Sequence, residues 1–74
     1  MTQQLFHKAI QAFDRVNEVS ETVHGRPMVN RNAMLTYIKY VLDQDDEEAM
    51  HRFISTMETW ADALSTNDNL WFMP

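Results

Sequence analysis

Residues 45–64, DDEEAMHRFISTMETWADAL, join a run of four acids to a long apolar stripe. Asp45-Asp46-Glu47-Glu48 puts carboxylates where the positive end of a helix dipole favours them. The spacing Asp45-x-x-Glu48 is a variant capping box, with Asp45 as the expected N-cap and Asp in place of the usual Ser or Thr. Beyond it, Met50, Phe53, Ile54, Met57, Trp60, Ala61 and Leu64 recur at three- and four-residue steps, which keeps them on one side of a helix for about four turns. Ser65-Thr66-Asn67-Asp68-Asn69 then reads as a stop. The pattern predicts a helix over 46–65.

Two more amphipathic segments precede it. Leu5, Phe6, Ala9, Ile10, Phe13, Val16 and Val23 share one arc, with Asp14, Arg15, Glu18 and Thr22 opposite, which predicts a helix over 2–23. Thr2 can cap its start, and His24-Gly25-Arg26-Pro27 ends it, because Gly suits the position just past a helix and Pro cannot continue one. Met34, Leu35, Ile38, Val41 and Leu42 form one face of a segment over 31–43, with Tyr37 at its edge and Ala33 and Tyr40 on the far side. Asn30 and Asn32 are both candidate caps, and Pro27 offers an earlier start. A helix with apolar groups on most of its circumference is either central in a bundle or shared with a second chain. The reading is an all-α, three-helix bundle in a single domain over 1–74, with an apolar C-terminal tail over 66–74 and a homodimer as the expected assembly.

Size and composition point the same way. Seventy-four residues are too few for the multi-unit βα enzymes, and the absence of cysteine removes both disulfide frameworks and thiolate zinc sites. One core of this size rarely supplies more than about 3–5 kcal/mol, so tight helix packing or association with another chain is expected to stabilise it. A single Gly leaves few positions for tight turns. No stretch approaches the ~20 apolar residues of a membrane span, and the N-terminus lacks the pattern of a secretory signal. A cytoplasmic location is expected.

Charge is unevenly distributed. Residues 1–42 hold five basic and three acidic side chains, a net +2, whereas 43–74 hold Arg52 against eight acids, a net −7. A nucleic-acid binder needs cations to neutralise phosphates, and the acidic third segment would repel a duplex. The only such reading left would use Lys8, Arg15, Arg26, Arg31 and Lys39 of the first half. The acids of 43–48 serve a solvated helix start, and they also suit a partner with a basic surface.

Motifs for chemistry are sparse. Glu48-x-x-His51 has the spacing used in carboxylate-bridged metal bundles. With Met57 at the centre of the buried stripe, however, Glu48 lies about 180° and His51 about 120° away, so both face water. His7 and His24 share no ligand spacing with His51, and the chain has neither a phosphate loop nor a nucleophile elbow. No catalytic residue, metal or cofactor is expected. The sharper feature is Leu70-Trp71-Phe72-Met73-Pro74, four large apolar residues beyond a polar stop. Its acidic-then-aromatic character is similar to short peptides that bind replication sliding clamps, without their leading Gln. It either packs back on the bundle or anchors a partner.

These features predict a small non-enzymatic regulatory or inhibitory protein that binds another protein, with Tyr40, Asp45, Asp46, Glu47, Trp71 and Phe72 as the contact residues. Compact acidic helical chains of this length are frequent among bacterial and phage accessory factors. The alternative class is a structural subunit, with the same apolar faces permanently buried in a homo-oligomer or larger complex.

Overall fold

A computed structural model describes residues 2–66. These residues form three helices, α1 (Gln3–His24), α2 (Arg31–Asp43) and α3 (Glu47–Thr66), and no strand is found among them. Their order and bounds agree with the periodicity to within a residue or two at each end. The tail residues Leu70–Pro74 lie outside the described residues.

Local chemistry sets both ends of α1 and the start of α2 as expected. Thr2 caps α1, its hydroxyl accepting from the Leu5 N–H at 3.4 Å. At the other end Gly25 adopts φ 79°, a left-handed conformation that glycine enters without strain, and its N–H donates to the Glu21 carbonyl at 3.0 Å. Of the three candidate starts for α2, Asn30 is the cap, with its side chain accepting from the Ala33 N–H at 3.0 Å.

The α2–α3 turn departs from the expectation. Asp45 does not cap α3. It sits in the left-handed region at φ 52° and its N–H donates to the Leu42 carbonyl at 3.0 Å. The N–H of Asp46 donates to the Val41 carbonyl at 3.3 Å. These two bonds are a Schellman closure of α2, and they take Asp45 for its left-handed position. The cap therefore falls one residue later: Asp46 accepts the Ala49 N–H on its carboxylate at 3.0 Å, and its carbonyl accepts from Met50 at 3.1 Å. Asp46 thus ends α2 with its N–H and starts α3 with its side chain, which ties the two helices at one residue.

The core lies mainly between α1 and α3, which pack together more extensively than either does with α2. Ala9, Ala12, Phe13 and Val16 of α1 face Met50, Phe53, Met57, Ala61 and Leu64 of α3, all buried, and α2 adds Ile38 and Val41. Phe13 meets Phe53 edge to face, 6.4 Å between ring centroids. α2 is therefore a flank rather than the central helix. Val23, placed by periodicity on the buried arc of α1, lies at the surface, beyond the stretch that α3 covers.

Two polar side chains of α1 hold the connection to α2. The Asn17 carboxamide oxygen accepts from the Met28 and Val29 N–H groups at 3.0 and 2.9 Å, while its amide donates to the Val29 carbonyl at 3.0 Å. The buried Ser20 hydroxyl donates to the Arg26 carbonyl at 2.7 Å. Arg31, the first residue of α2, lies 5.8 Å above the Phe13 ring centroid and pairs with Asp14 at 3.1 Å. The pair is half exposed and contributes at most about 1 kcal/mol, so its role is to orient the start of α2.

Three stability measurements check this account. Asn17→Ala removes the acceptor and donor that serve three main-chain groups, and chemical denaturation should show a loss of about 1–2 kcal/mol. Asp46→Ala should cost about 1 kcal/mol through loss of the cap. Asp45→Gly should leave stability unchanged or raise it, because glycine relieves the left-handed strain. The reverse order would restore Asp45 as the cap.

Candidate functional site

α2 packs on α3 less extensively than α1 does, and apolar surface is left between α2 and α3. A groove of about 520 Å³ runs there, floored by Met34, Phe53 and Met57 and walled by Tyr37 and Trp60, with Arg52 and Thr56 on the rim. The rings of Tyr37 and Phe53 lie 5.6 Å apart at 37°, so Tyr37 lies against the α3 side of the groove while remaining 45% exposed. At the end nearer the α2–α3 turn, Tyr37 and Ala49 continue into a second depression of about 350 Å³ shared with Tyr40, Val41, Gln44 and Asp46. Tyr40 is 62% exposed. The two depressions thus share Tyr37 and Ala49, and Asp46 borders the second.

This arrangement brings some of the expected contact residues together. Tyr40 and Asp46 line the same depression. Asp45 and Glu47 flank Asp46 on the exposed turn, where Asp45 also has its left-handed main-chain role and Glu47 opens the first turn of α3. Trp71 and Phe72 lie outside the described residues. Met34, Phe53, Met57 and Trp60 fit core spacing in the sequence, and Phe53 and Met57 are indeed buried in the core. All four nevertheless present surface to the groove. The signal in the sequence is Tyr37 at the edge of one apolar face, with Trp60 at a matching edge of another.

A larger cleft of about 630 Å³ lies between α1 and α3, lined by Leu5, Lys8, Arg15, His51, Ile54 and Glu58 among others. Its charged side chains are of both signs and all exposed, and Arg15 also faces Asp62 at 3.8 Å. Such groups stay hydrated and hold a ligand weakly. The Glu48–His51 pair does not form a shared site: Glu48 takes a contact from Arg52 at 3.3 Å, while His51 lines the α1–α3 cleft. Among the described residues no three His, Asp or Glu side chains gather where a metal could be held. The five cations of the first half are dispersed as well. Arg15 and Arg31 face carboxylates, Lys8 lies in the cleft, and Arg26 and Lys39 are exposed on the α1–α2 loop and on α2. No described helix is long and apolar enough to cross a membrane.

The site and the core differ in what they do for folding. Tyr40→Ser should change the unfolding free energy by less than about 0.5 kcal/mol, as an exposed position should. Ile38→Ala, two residues away and fully buried, should cost about 2–5 kcal/mol. Equal losses at the two positions would mean that Tyr40 is buried in solution. Comparison with known proteins adds no constraint on function: no protein-family model, no curated protein and no solved structure matches this chain.

Proposed function

We propose that this chain is a non-enzymatic regulatory or inhibitory protein that acts by binding another protein through the α2–α3 groove. The observation that carries this reading is the apolar groove whose lining residues Tyr37 and Ala49 also border the depression at the acidic turn. Tyr37, Tyr40 and Trp60 are residue types that dominate interface energetics, because each offers a large rigid surface at low entropic cost. The methionines of the floor let such a surface adapt to what it receives. The acids at 43 and 45–48 favour a partner segment carrying Lys or Arg at one end, and they would raise its rate of encounter.

Size indicates the form of the partner. From Ala49 to Trp60 the α3 side of the groove rises about 16 Å. A stable pair of globular subunits removes roughly 800 Å² from each partner. The groove alone offers much less, so it fits one amphipathic segment better than the face of a second subunit. A homodimer built on this groove would need additional surface.

The test uses a protein captured by the chain from its native cell, with affinities then measured on purified components. Tyr37→Ala should weaken binding roughly thirty-fold, the effect of a hot-spot loss of about 2 kcal/mol. Asp45→Asn combined with Glu47→Gln should slow association chiefly at low salt. Ser55→Ala, in the α1–α3 cleft, should have no effect. Binding lost through Ser55 and untouched by Tyr37 would move the site to the other cleft. A tight homodimer that leaves no accessible groove would support the structural-subunit class instead.

A further inference from the structure

The groove opens close to where the described chain ends. Trp60 is six residues before Thr66, about 9 Å down the helix, Met57 about 14 Å and Phe53 about 20 Å. Eight further residues follow, Asn67-Asp68-Asn69-Leu70-Trp71-Phe72-Met73-Pro74. An extended segment gains about 3.3 Å per residue, so Leu70 can lie up to about 13 Å from Thr66 and Met73 up to about 23 Å. With Asn67–Asn69 used to reverse direction, Leu70–Met73 reach about 13 Å back along α3, past the level of Trp60 to about that of Met57. Asn67-Asp68-Asn69 are the residue types that enter left-handed and turn conformations most readily after glycine.

The chemistry is matched too. Leu70–Met73 are four consecutive large apolar side chains, and the groove presents an apolar floor with aromatic walls. An attached segment meets its site at an effective concentration on the order of millimolar without needing a second molecule. We propose that Leu70–Met73 occupy the α2–α3 groove of their own chain, so that an outside ligand binds there only by displacing them. The inference uses the groove assigned above but does not depend on the partner's identity.

The methionines supply the test. In the full-length chain with labelled methionine methyls, Met34 and Met57 report on the groove, Met50 on the buried core, and Met28 on the exposed α1–α2 loop. Nuclear Overhauser contacts from the Trp71 and Phe72 rings to the Met34 and Met57 methyls, unchanged on dilution, are the expected result. Trp71→Ala with Phe72→Ala should then shift the Met34 and Met57 methyl signals while leaving Met50 in place. Ring contacts to Met28 alone would put the tail over the end of α1 and overturn the proposal. Contacts that vanish on dilution would assign the groove to a neighbour's tail and overturn it equally, as would the absence of any contact. An empty groove that still binds the captured protein defeats this inference alone. A tail-filled groove whose variants leave that binding unchanged defeats the proposed function alone.

Discussion

The close approach of α1 to α3 is the constraint on which the rest of the structure depends. Ala9 and Ala12 on one helix and Ala61 on the other are small enough to bring the backbones together. Phe13, Met50 and Val16 are fully enclosed there. With 22 and 20 residues the two helices can run alongside each other for most of their length, whereas α2 has 13. A helix of about 20 Å cannot cover the apolar arc of two helices of about 30 Å and more. The groove itself runs alongside α2, past Met34 and Tyr37, and is left open because α1 rather than α2 packs most extensively on α3.

A groove of this kind is useful only if its walls hold still, and α2 is fixed at both ends. At its start, Asn17 and Ser20 hold the preceding loop against α1, and Arg31 sits over Phe13. At its end, Asp46 closes α2 and caps α3 in a single residue, so the two helices that form the groove share a terminus. The same turn carries the acids that would meet a basic partner. Helix termination and charge placement are therefore produced by the same few residues, and a change at Asp46 alters both.

Much of the fold was legible in the sequence because three apolar stripes with clear breaks leave little choice of element or order. Thr2, Gly25 and Asn30 occupy the positions their chemistry suggests. The pattern could not place the cap of α3, because Asp45 and Asp46 are identical side chains and only the two-bond closure of α2 distinguishes them. Nor could it reveal Asn17, whose value lies in bonds to residues eleven and twelve positions away. The central position that the pattern offered for α2 is not the one it takes, because periodicity measures how apolar a helix is and not which pair of helices packs most extensively. The lining of the groove was visible only in part. Tyr40 and the acids stood out as exposed groups, whereas Met34 and Trp60 read as core, since a stripe does not show which of its edges a third helix will leave open.

The most direct measurement makes one substitution at two places on α3, Ala61→Leu and Ala49→Leu, and compares denaturation midpoints. Ala61 is fully enclosed in the α1–α3 seam, and Ala49 lines the groove. If the seam is closed and the groove open, the added methylenes at 61 overpack the core and lower stability by about 1–3 kcal/mol. The same group at 49 finds room on an apolar surface and leaves stability level or higher. Loss at Ala49 with tolerance at Ala61 would contradict the account, because it would place the tight packing between α2 and α3 and the opening between α1 and α3.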